Sequence, residues 1–189
     1  MKKKSKIIAI ISVIIVLLLS TAIIHLLQHK DSKDVILSLS SFQSDNEYQY
    51  DNIKWQSSVQ EVQKNLPYSL ERDTYRESGS DTIAYYKAKN KHILDGQSGA
   101  ASFEFVKDQL KIVQLSFHLD DDADQWFEKQ VTKLQELYGT EYVKSENSSE
   151  QLHLKSIGYR WDKNNTSLQF VMLSGDNRNP SAIFSVGVK

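Results

Sequence analysis

Apolar residues along this chain fall into three regimes: one unbroken run, two stripes of helical period, and several stretches of alternation. The unbroken run is Ile7 to Leu27, IIAIISVIIVLLLSTAIIHLL, which holds no Asp, Glu, Lys or Arg. A helix of these 21 residues rises about 1.5 Å per residue and is roughly 31 Å long, matching a bilayer's hydrocarbon core. Fifteen of them are Ile, Leu or Val, which favours insertion by about 5–9 kcal/mol. The run predicts an N-terminal transmembrane helix.

The first helical stripe follows Ser58-Val59-Gln60-Glu61, a capping-box pattern in which Ser hydroxyl and Glu carboxylate take each other's free backbone N–H groups. Val59, Val62 and Leu66 share a face, and Pro67 stops the helix. The second helix follows the acids 120–122 and Asp124, which complement a helix N-terminus. Its stripe is Phe127, Val131, Leu134 and Tyr138, with Trp126 beside it, and Gly139 caps its end. Strands are expected at Thr82–Lys87, Ala101–Val106, Leu110–His118, Ser156–Trp161, Thr166–Leu173 and Ala182–Val188. Of these, 101–118 is the clearest hairpin, turning at Lys107-Asp108-Gln109.

Residues 28–52 read as a stem with one short strand at Val35–Leu39, and 140–154 as a polar loop. The expected fold is therefore α+β: a transmembrane helix, then an antiparallel-sheet domain over 53–189 in the order helix, three strands, helix, three strands. By element order, 53–118 and 122–188 look like two copies of one unit.

Charge sets the orientation of the apolar run. The flank MKKKSK carries four lysines, whereas QHKDSK after the run is nearly neutral. The positive-inside bias places residues 1–6 in the cytoplasm and 28–189 outside, in a single-pass plasma-membrane topology. The alternative is a secreted chain, cleaved at the small-x-small pattern Ser20-Thr21-Ala22. Against it, Ile23, Ile24, Leu26 and Leu27 continue the apolar run past that point. The chain's net charge of −1 hides an asymmetry, because residues 1–34 hold six of 23 basic and two of 24 acidic residues. The remaining 17 basic and 22 acidic residues make a mildly acidic body, a poor match for phosphate backbones. Nucleic acid is not an expected partner.

The absence of cysteine excludes disulfides, thiolate catalysis, Cys-ligated zinc and lipid attachment through Cys. Asp120, Asp122 and Asp124 match the first positions of a calcium loop, but Gln125 replaces its glycine and Val131 its bidentate glutamate, so they read as a helix start. His92, His118 and His153 have no metal-ligand spacing. No G-x-S-x-G, phosphate or dinucleotide loop occurs, and no cofactor or metal is expected. Glu104, on a strand, is the starting point for a carboxylate pair of the kind that hydrolyses sugars. Trp55, Trp126 and Trp161 sit at element boundaries and suit packing, with Trp55 also a candidate contact. Tyr48, Tyr50 and Tyr75 with Arg76 lie in polar segments and are expected as exposed partner contacts.

Trp55-Gln56-Ser57-Ser58-Val59-Gln60-Glu61-Val62 is similar to the W-x-x-S-x-x-E-V helix opening of small exported domains related to the SmpA/OmlA lipoproteins and to the β-lactamase-inhibitor-protein-like fold. Phe103, Phe105, Leu110 and Val113 resemble a later hairpin of those domains, and Tyr138-Gly139 a helix end. The family often carries Gly where Gln56 stands, and its lipidated Cys is missing here. The resemblance implies helices on a curved antiparallel sheet and a non-enzymatic binding or assembly module. The expected function is thus a membrane-anchored extracytoplasmic module binding a protein or envelope component. The alternative is a wall-active hydrolase using carboxylates.

Overall fold

In the computed structural model, residues 33–189 are described, except 79, 80, 121, 152 and 177. The strongest alternation builds the centre. Strands β5 (Gln97–Val106) and β6 (Gln109–His118) bury Ala101, Phe103, Phe105, Leu110, Val113, Leu115 and Phe117 on one face. Lys107 and Asp108 join them with φ of 52° and 59°, the left-handed pair of a tight hairpin turn. Towards the C-terminus, β8 (Leu154–Lys163), β9 (Thr166–Gly175) and β10 (Arg178–Val188) bury Tyr159, Trp161, Leu168, Phe170, Met172, Ala182, Phe184 and Val186 on the same face. Antiparallel pairing of β10 with β6, Phe184 opposite Leu115, fuses both groups into one sheet.

Two helices lie over that face. Helix α1 (Val59–Asn65) starts with the capping box, Glu61 Oε2 accepting the Ser58 N–H at 2.8 Å. Helix α2 (Ala123–Tyr138) stacks Phe127 on Phe170 at 4.5 Å and sets Trp126 against Phe117 at 5.6 Å. Gly139 ends it at φ 88°, and the Trp161 indole N–H donates to the Gly139 carbonyl at 2.9 Å.

The expected element order needs correction. The described chain is mostly β: one ten-stranded sheet carrying α1 and α2, not an α+β domain of helix, three strands, helix, three strands. The additional strands are β2 (Leu70–Ser78), β4 (His92–Leu94) and β7 (Val143–Ser149), alongside the anticipated β3 (Asp81–Ala88) and a β1 (Val35–Ile36) shorter than the expected Val35–Leu39. The expected transmembrane helix Ile7–Leu27 lies outside the described residues. Among those that are described, no helix is long and apolar enough to cross a membrane.

The path runs β1-β4-β5-β6-β10-β9-β8-β7, with β3 pairing both β5 and β2. Strands β4 and β3 share one edge of β5, at its two ends. Strands β2 and β7 lie outermost and bury almost nothing. Their sequences LERDTYRES and VKSENSS put charge along unpaired edges, which discourages edge-to-edge association.

The stretch expected as a stem is instead a strap on the core. Leu39, Phe42, Tyr48, Tyr50 and Ile53 are buried, and the compact unit begins at Asp34. Phe42 packs 4.5 Å from Phe184, and the Tyr48 N–H donates to Thr166 Oγ1 at 2.8 Å. Lys163 Nζ and Asn164 Nδ2 hold the carbonyls of Ser44 and Asn46 at 2.8 and 2.6 Å.

Between strap and α1, the Gln56 N–H donates to the Leu110 carbonyl while φ stands at 66°. A side chain in that left-handed region costs about 1–2 kcal/mol, partly offset by the unfolded-state freedom that glycine would add. Gln56→Gly is expected to stabilise by roughly 0.5–1 kcal/mol, raising the urea midpoint at unchanged slope.

Candidate functional site

The residues expected as exposed contacts separate into two places. Tyr48 and Tyr50 are 4 % and 3 % exposed, so neither ring faces solvent, a correction to their reading as surface contacts. Trp55 is half-buried, and its indole N–H donates to the Tyr48 carbonyl at 2.7 Å. Tyr75 and Arg76 are exposed on edge strand β2, where Arg72 lies 4.7 Å over the Tyr75 ring. The five residues therefore form no common surface.

Tyr50 belongs instead to a buried polar chain. Its hydroxyl lies 2.8 Å from that of Tyr68, which lies 3.2 Å from Nε2 of fully buried His92. His92 Nδ1 lies 3.1 Å from the Asn90 carbonyl, which can only accept. Nδ1 therefore carries the proton of the neutral ring, Nε2 accepts from Tyr68, and Tyr68 accepts from Tyr50. Burial pushes the His92 pKa down to about 4, against the smaller upward pull of the Asn90 carbonyl, and raises those of Tyr50 and Tyr68. This chain is sealed in the core and shapes stability rather than contact.

The other candidates are placed as follows. Glu104 lies on the sheet face away from the helices, opposite Tyr85 on β3. Burial chiefly, then the Glu104 charge and hydrogen bond, raise the Tyr85 phenol pKa. Asp122 precedes α2 as its N-cap, and Asp124 lies in its first turn. His118 is exposed, and His153 Nδ1 lies 3.4 Å from Asp176 at the surface. Among the described residues, no three His, Asp or Glu side chains converge as a metal site.

The helix-free face of the sheet was not singled out by the sequence. One row of its residues is polar: Ser102, Gln114, Ser185, Gln169 and Arg160 run across five strands, by the pairings Ser102–Gln114, Gln114–Ser185, Ser185–Gln169 and Gln169–Arg160, while the next row sets Ile183 beside Val171. Near its C-terminal end is a depression of about 480 Å³, lined by Ile112, Arg160, Asp162, Ser167, Gln169 and Ser185 and by backbone at Gly187. Gly187 leaves space by necessity, since a Cβ there would stand 2.6 Å from the Lys111 carbonyl. Asp162 is the one acid in the lining, and both its oxygens are taken: Arg160 Nη2 and Lys189 Nζ each lie at 3.1 Å. Hydroxyls, amides and a carboxylate held between two cations can recognise polar groups by hydrogen bonding. The signal for this face was present as serine and glutamine at the outward positions of each alternating strand.

Compared with known proteins, the chain matches no family model, no curated protein and no solved structure.

Proposed function

We propose that the chain is a membrane-tethered binding module. Ile7–Leu27 engages a lipid bilayer, the lysine-rich flank stays cytoplasmic, and Asp34–Lys189 works outside the cytoplasm. There it binds a protein or envelope component through the helix-free face of its sheet. The observation that carries this reading is the open polar row leading to the Arg160–Asp162–Lys189 depression. The likeness of Trp55–Val62 and the 103–113 hairpin to SmpA/OmlA-type domains supports the same reading. Hydrolysis by a carboxylate pair has less support, because it needs a carboxyl whose pKa is raised. The Glu61 and Asp95 carboxyls are both displaced downward.

A photo-crosslinking side chain placed at Gln169 of the full chain, in its native cell, is expected to give one discrete adduct. The adduct should fade when Arg160→Glu reverses the charge beside it. The same probe at Gln125, exposed on α2, should give none. Identical adducts from both positions, or none from Gln169, would defeat the proposal.

A further inference from the structure

The helix-free face carries hydrogen-bonding groups that the protein itself does not use. Along the row Ser102, Gln114, Ser185, Gln169 and Arg160, every residue is exposed or half-buried. Among the described residues, the hydroxyls of Ser102 and Ser185 and the amide of Gln169 have no hydrogen-bond partner, and the Gln114 amide reaches only Ser116 Oγ, at 3.1 Å. The charges that frame the row are paired. Lys87, opposite Ser102 on β3, is held by Asp73 at 2.8 Å, and Arg160 and Lys189 share Asp162 at 3.1 Å each.

That combination selects a partner chemistry. A polyanion needs unpaired cations, and the row has none to give. Protein partners are held chiefly by aromatic anchors, and no Trp or Tyr stands in the row. Hydroxyls and carboxamides each donate and accept, as sugar hydroxyls do. The neighbouring row sets Ile183 beside Val171, an apolar strip for the C–H face of a sugar ring. Spacing agrees as well. Adjacent strands stand about 4.8 Å apart, so the row spans about 19 Å, and a sugar in an extended β-1,4-linked chain advances by nearly one such step. We infer that the row takes an uncharged, extended polysaccharide chain lying across the strands, with its deepest subsite in the depression beside Arg160 and Asp162. This rests on the reading of the helix-free face as the binding surface.

The test titrates the full chain in lipid nanodiscs, its side-chain amides labelled with 15N, against β-1,4-linked oligomers of glucose and of N-acetylglucosamine. Saturable shifts of the Gln169 amide are expected in at least one series. Affinity should rise about tenfold from dimer to tetramer, as further strands are engaged. Gln114 lies on β6, outside the depression. Gln114→Ala should therefore bring the tetramer down to the dimer's affinity and leave the dimer's own affinity unchanged, which also reports that the variant is folded. No saturable shift in either series, affinity independent of length, or an unaltered tetramer affinity in Gln114→Ala would overturn the inference. A crosslinked partner at Gln169 that is protein without glycan would overturn it too, while leaving the binding face intact; no adduct at all would remove both.

Discussion

A chain beginning at Ile53 is expected to fail to fold, whereas one beginning at Asp34 gives a cooperative transition. The difference is the strap. Its Phe42 ring is 1 % exposed and fills the space between Phe184 and Tyr50, at 4.5 and 5.8 Å. Phe42→Ala alone removes that ring and leaves a cavity, for a loss of about 3–5 kcal/mol. Total stability for a domain of this size is about 5–15 kcal/mol, so removing Leu39, Phe42, Tyr48 and Tyr50 together exceeds what the sheet and helices retain. Far-UV and near-UV circular dichroism of the two chains, with urea melts of the point variant, would check this. A native-like melt from the Ile53 chain would show the strap to be an accessory.

The second large effect is expected at the Tyr50–Tyr68–His92 chain. Tyr68→Phe strands two buried groups at once: Nε2 of His92 loses its donor and the Tyr50 hydroxyl its acceptor. At about 1–3 kcal/mol per buried unsatisfied group, the loss is roughly 2–6 kcal/mol. Tyr50→Phe removes only the outermost donor and is expected to cost about 1 kcal/mol. The same histidine makes stability depend on acidity. Its pKa is near 6.5 when unfolded and about 4 when folded, so the unfolded chain takes the proton first. The contribution is complete above about pH 6.5, is lost as pH falls towards 4, and changes no further below that. It amounts to at most about 3 kcal/mol. His92→Phe should flatten this part of the pH–stability curve. A profile that keeps its slope between pH 6.5 and 4 in that variant would assign the acid sensitivity to another group.

What the sequence revealed depended on whether an element buries one face. Strands β5, β6, β9 and β10 do, and their alternation marks them. Strands β2 and β7 bury neither, so LERDTYRES and VKSENSS carry no period and read as connections. The strap was hidden by composition. Its polar residues face solvent or the β8–β9 turn, and the apolar ones between them are too few to set a rhythm. The turn at Asp95-Gly96, with φ of 49° and 86°, did carry a hairpin signal in its residue types. Gln130 stands in the α2 stripe beside Phe127, Val131 and Leu134, a polar side chain where the period calls for an apolar one. Its bond to Asp95, 35 positions away, depends on tertiary structure that no local pattern contains.

The seam between β6 and β10 governs the order in which the sheet can be completed. Leu115 waits for Phe184, which is synthesised roughly 70 residues later, so the pairing is among the least local in the chain. During vectorial synthesis or export, the inner margin of β6 stays open until the last strand has emerged. That margin is alternating, aromatic and uncharged from Val113 to Phe117, unlike the charged outer strands. The nascent molecule thus offers its most adhesive strand for the longest time, and the C-terminal residues act as the closure that ends this exposure.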